Sequence, residues 1–170
     1  MREFTNKMKV ISRIRTSVFA LLVTAVVTGC SQASTVGDLK IDELKGVDFG
    51  QTKQEVVSAL PSYQLSPQPD FEKCSVFACD GLVAKYQTVK FSPKFLFNKK
   101  GKLVTINGLI VNSEPVALAE LQSFLDGKFG QPQISDTGRL WTDGGVKVVL
   151  SSEGNDSGAF NFIAFRSPEY

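Results

Sequence analysis

The ten-residue stretch Val18-Phe19-Ala20-Leu21-Leu22-Val23-Thr24-Ala25-Val26-Val27 carries no charge, and it decides how much of this chain is left to fold. Lys7, Lys9, Arg13 and Arg15 precede it, with Glu3 among them as the one nearby acid, and Thr28, Gly29 and Cys30 follow. A basic leader, a short apolar run and small residues before a cut form the layout of a secretory signal. A bilayer-spanning helix takes about 20 apolar residues, which this run does not reach. A start at Met8 gives a compact leader that keeps Lys9, Arg13 and Arg15. With residues 1–29 set aside as a signal peptide, about 140 residues remain, enough for one domain with a sound core.

The four residues Val27-Thr28-Gly29-Cys30 resemble the lipobox of bacterial lipoproteins. The resemblance implies that Cys30 is acylated through sulfur, that the chain is cut before it, and that the new amino group is acylated as well. Two or more acyl chains hold a protein on a membrane where one gives marginal binding. Ser31, rather than Asp, follows Cys30; by resemblance to the sorting rule of Gram-negative lipoproteins this implies the outer membrane, facing the periplasm. Residues 30–40 are then the lipidated Cys and a small, polar, flexible tether, and residues 41–170 a single periplasmic domain. The membrane, reached through the anchor on Cys30, is the first expected partner.

Removing the leader changes the charge. Of 19 basic residues, Arg2, Lys7, Lys9, Arg13 and Arg15 leave, giving 14; of 17 acids, Glu3 leaves, giving 16. A mature chain about two charges negative has no electrostatic footprint for nucleic acid, where clustered Lys and Arg supply most of the affinity. The chain contains no His. That removes Ser-His-Asp and Cys-His nucleophilic catalysis and His-dependent metal sites. With Cys30 committed to lipid, Cys74 and Cys79 remain, and two thiolates alone do not make a tetrahedral zinc site. In an exported chain the expectation for this pair is a Cys74–Cys79 disulfide closing a six-residue loop. A redox pair and unpaired thiols are the alternatives. The four intervening residues differ from the two of the thioredoxin motif. No cofactor, metal or catalytic set is expected.

Along the chain, Thr52 and Glu55 form a capping box that starts a helix, Val56 and Leu60 share its face, and Pro61 stops it. Pro61, Pro67 and Pro69 make residues 61–73 a loop. Alternation predicts strands over 82–91, 94–97 and 103–111, the last two joined by the turn Asn98-Lys99-Lys100-Gly101. A second helix starts near Ser113, tolerates Pro115, lines up Leu118, Leu121 and Leu125, and ends at Gly130 and Pro132. Residues 139–142, 146–151 and 159–166 read as three more strands, the first two a tight hairpin at Asp143-Gly144. The predicted fold is α+β, with two tandem helix-plus-three-strand units, about 44–111 and 112–166, their helices packed on antiparallel sheet.

The run Gly50-x-Thr52-x-x-Glu55-Val56-x-x-x-Leu60-Pro61 resembles the opening helix of the SmpA/OmlA-type small outer-membrane lipoproteins. The doubled helix-then-sheet order is similar to that of the β-lactamase inhibitor protein family. These resemblances imply the fold and no binding residues. The chain departs from the single-unit family in everything after Val111. The functional expectation is a lipid-anchored, non-enzymatic envelope protein that binds another protein, as an outer-membrane assembly accessory or scaffold. Cys79-Asp80-Gly81 with Tyr86 resembles periplasmic inhibitors of exogenous hydrolases such as lysozyme, which is the alternative. Tyr63, Leu65 and Phe71, between and beside the prolines, are the candidate partner contacts. Lys94, Lys99, Lys100 and Lys102 are a candidate lipid-head cluster or a solvated turn. Trp141 with Phe160 and Phe162 is either an aromatic binding surface or core.

Overall fold

Alternating burial organises the chain. In the segment Val146–Ser151, Val146, Val148 and Leu150 are buried while Lys147, Val149 and Ser151 are partly exposed. A period of two puts alternate side chains on opposite faces of a sheet. The computed structural model describes residues 36–71, 73–112, 114–143, 145–152 and 160–168; the signal segment and Cys30 lie outside them.

Nine strands among the described residues form one antiparallel sheet. They are β1 (Gln64–Phe71), β2 (Cys74–Asp80), β3 (Ala84–Tyr86), β4 (Val89–Phe97), β5 (Leu103–Ile110), β6 (Gln133–Ser135), β7 (Gly138–Asp143), β8 (Val146–Ser151) and β9 (Phe162–Arg166). Their order is β1-β2-β4-β5-β9-β8-β7-β6, with β3 paired to β4. Two helices accompany them, α1 (Lys53–Ala59) and α2 (Pro115–Phe129). The expected two tandem helix-plus-three-strand units are therefore corrected to a mainly β molecule built on one continuous sheet.

The differences have local causes. The stretch expected as a loop is strand β1, because β1 lies at the sheet edge, where prolines cost no ladder hydrogen bond on the solvent side. Its partner β2 was not foreseen at all. The single strand expected over 82–91 is broken at Gln87, whose φ of 54° turns the chain between β3 and β4. Strand β4 then runs straight through Pro93, which lies opposite Gly108. A Cβ on Gly108 would sit 2.0 Å from the Ser92 carbonyl oxygen, so only glycine fits there.

Both helices form where expected. Thr52 and Glu55 complete the capping box: the Thr52 N–H donates to Glu55 Oε2 at 2.6 Å and the Glu55 N–H donates to Thr52 Oγ1 at 3.3 Å. Pro115 occupies the first turn of α2, and Gly130, with a φ of 79°, ends it. Leu118, Leu121 and Leu125 are the buried stripe of α2.

The main core lies between one sheet face and these helices. Phe91 and Phe95 of β4, Ile106 of β5, Ile163 and Phe165 of β9, Val148 and Leu150 of β8 and Trp141 of β7 all belong to it. Tyr86 meets Phe165 edge-on at 4.9 Å between centroids. The Trp141 indole N–H donates to Asp126 Oδ1 of α2 at 2.9 Å, and Arg139 Nη1 donates to Gln122 Oε1 at 2.7 Å. Residues 36–47 wrap the same side as two 3-10 turns (Val36–Leu39 and Asp42–Leu44), burying Val36, Leu39, Ile41, Leu44 and Val47. Residues 36–40, expected in the tether, are thus part of the folded domain.

Candidate functional site

Among the described residues, no helix packs on the other face of the sheet. Three rows of side chains cross it. Ser92, Leu109, Phe162 and Ser151 form one, through β4, β5, β9 and β8. Ala78, Lys94, Asn107, Ala164, Val149 and Leu140 form the next, and Val76, Leu96, Thr105, Arg166 and Lys147 the third. A bulge in β5 opposite Leu96–Phe97 turns Val104 to this side as well. Val104 joins Cys74, Val76 and Leu96 in a small second apolar cluster.

Near the centre of this face the side chains enclose an open hollow of about 430 Å³. Its apolar wall is Pro69, Phe71, Val76, Leu96 and Phe162, and its polar groups are Gln68, Lys94, Asn107 and Arg166. Phe71 reaches it from the end of β1 and is 57% exposed. Ala164, between Asn107 and Val149 in register, separates Phe162 from Arg166 along β9. Those two side chains also line a second hollow of about 370 Å³ over β7 and β6, so they form the ridge between the two.

The electrostatics of the first hollow are one-sided. Among the described residues, Lys94 and Arg166 are its charged groups, and none of those that line it is acidic. No hydrogen bond or ion pair joins either side chain to another described residue. Asn107 stands beside Lys94 in register, and its Oδ1 is buried with no hydrogen-bond partner. Thr105 Oγ1, on the same face beside Arg166, is in the same state. A buried acceptor left unpaired is costly, roughly 1–3 kcal/mol, so neither atom adds to the stability of the fold.

The structure separates the residues singled out by sequence. Cys74 and Cys79 do not form the expected disulfide. Both lie on β2, five residues apart, so Cys74 faces the second cluster and Cys79 the main core. Five strand residues span about 17 Å, far beyond the 4.4–6.8 Å between Cα atoms that a disulfide bridges, roughly. Burial pushes the Cys79 thiol up to about 11, with the Asp80 carboxylate adding to the shift, so it stays protonated at neutral pH.

Tyr63, Leu65 and Phe71 do not converge. Leu65 packs on the main core, Tyr63 precedes β1, and Phe71 alone reaches the hollow. Lys99, Lys100 and Lys102 stay together at the exposed β4–β5 turn, where Asn98 Oδ1 accepts from the Lys100 and Lys102 N–H groups. Lys94 leaves that cluster for the hollow. The aromatic trio also splits. Trp141 is core, 1% exposed; Phe160 packs partly against the core below the Arg139 guanidinium; Phe162 faces the hollow.

Val76, Leu96, Asn107 and Arg166 were missed by sequence reasoning. Each strand shows its own alternation, but nothing in the sequence says that β5 pairs with β9, which is what brings Asn107 and Arg166 together. Among the described residues no group of three or more Cys, Asp or Glu converges as a metal site. No helix among them is long and apolar enough to cross a membrane. Cys30 lies outside the described residues. In comparisons with known proteins, no family model matches the chain, and neither a curated protein nor a solved structure shows significant similarity to it.

Proposed function

We propose that this is a lipid-anchored envelope protein, held through Cys30 on the periplasmic side of the outer membrane, that works by binding another protein as an assembly accessory or scaffold. The anchor and the location rest on the signal layout and on the sequence Val27-Thr28-Gly29-Cys30-Ser31. The binding reading rests on one observation, the helix-free sheet face with its central hollow. Helices and the N-terminal turns pack on one face, while the other presents Phe71, Leu109, Phe162 and Arg166 to solvent or to the hollow. Aromatic side chains and Arg are the residue types that dominate contact energy in protein interfaces. Cations, an amide and apolar walls are the chemistry of recognition.

The test is photocrosslinking in cells that make the full chain. A photoreactive residue is placed at Phe71 or Leu109 on the open face, and at Val57 on α1 as the control; all three are exposed. The expected result is a discrete protein adduct from Phe71 and Leu109 that Val57 does not give. Equal adducts from all three positions, or none from the open face, would overturn the reading.

A further inference from the structure

The hollow holds three kinds of group within one small space, and together they narrow its occupant. Its volume of about 430 Å³ is that of a site for a small molecule or a few residues, since ligand pockets run from roughly 300 to 1,000 Å³. It therefore takes a short segment of a partner, not a domain.

Resting on the protein-binding reading, we propose that the hollow binds a short peptide segment in which a carboxylate lies next to a large apolar side chain. Lys94 and Arg166 supply two cations on a wall whose described residues include no acid, in a mature chain that is net negative. Arg166 offers a planar fork suited to a carboxylate, which charge assistance makes the stronger kind of hydrogen bond. Gln68 and Asn107 bring two side-chain amides to the same lining, groups that pair with the N–H and C=O of a peptide. Phe71, Val76, Leu96 and Phe162 then enclose the apolar side chain. A fatty acid anion offers the charge and the tail but no N–H. A neutral apolar peptide leaves both cations unused.

The test uses the full-length lipidated protein in detergent and three probes: acetyl-Leu-Glu-Phe-amide, acetyl-Leu-Gln-Phe-amide and dodecanoate, with binding followed by NMR shifts. The Glu peptide is expected to bind at least about tenfold more tightly than the Gln peptide, about 1.4 kcal/mol. R166Q and K94Q are each expected to remove most of that preference without moving the melting temperature. N107L is expected to hold or raise the melting temperature while weakening the Glu peptide. An Asn107 with a purely structural role would lose stability and leave binding unchanged, against the proposal.

Equal binding of the Glu and Gln peptides would overturn the charge assignment. Tighter binding of dodecanoate than of the Glu peptide, abolished by R166Q, would overturn the peptide and assign the hollow to a lipid anion. No binding of any probe would overturn the site. These failures are separable from failure of the protein-binding reading, which shows itself in the crosslinking at Phe71 and Leu109 whatever the probes do.

Discussion

At the scale of single residues, Cys74 and Cys79 show how parity overrides proximity in sequence. Read as an exported chain with Cys30 given to lipid, the sequence invites a disulfide between the other two cysteines, and the short loop between them looks closable. On a strand, however, an odd separation sends the two side chains to opposite faces, and β2 is a strand throughout this interval. The expected chemistry follows. Denatured without reductant, the protein should take one alkyl group on each of Cys74 and Cys79, by mass spectrometry; an unlabelled chain two hydrogens light would restore the bridge. Cys79 also makes stability depend on alkaline pH. Its thiol is raised from 9.0 to about 11 by burial and by Asp80, so the folded state keeps a proton that the unfolded chain releases. That contribution is whole below about pH 9 and lost as pH climbs to about 11. Urea midpoints are expected to fall across this window, and to fall less steeply in Cys79→Ala.

At the scale of elements, helix α1 was fully legible and strand β1 was not, for opposite reasons. The α1 start is written in two side chains that satisfy each other's backbone, and the structure holds them as read. The Thr52 N–H bond, then the Thr52 hydroxyl, holds the Glu55 carboxyl below its ordinary value. Stability from this bond is present above the usual carboxylate range, near 4.5, and is lost as pH falls through the lowered value. Thr52→Ala should cost about 1 kcal/mol at neutral pH. Urea unfolding at pH 7 and at pH 3 checks it; a difference between wild type and variant that does not shrink in acid would show that the Thr52 hydroxyl does not hold the Glu55 carboxylate. By contrast, β1 carries Pro67 and Pro69, residues that say loop wherever a strand has two neighbours. Its edge position removes the objection, but edge position is a property of the whole sheet. The hollow was hidden for the same reason. Phe71, Lys94, Asn107 and Arg166 come from four strands whose adjacency no local pattern states, and only Phe71 among them was picked as a partner contact.

At the scale of the whole molecule, the one-sided sheet and the proposed lipid anchor bear on each other. Covering only one face leaves the other to be solvated or occupied, and this face mixes Lys94, Lys147 and Arg166 with Val76, Leu96, Leu109 and Phe162. The core begins soon after Cys30 in sequence: Val36 is already 1% exposed, buried in the main core. Six residue steps separate it from Cys30, a reach of at most about 20 Å even fully extended. If Cys30 carries the lipid, the domain is held close against the membrane and cannot search far from it, which suits a partner seated in the same membrane. Cys30→Ser separates the two ways of staying there. With the lipid as sole anchor, fractionation should find the variant soluble at mature size, or accumulating as uncleaved precursor. Mature-sized protein remaining on the membrane would mean that a bound partner holds it. In that case Arg166→Gln added to Cys30→Ser should release it, because the open face would then be the only attachment left.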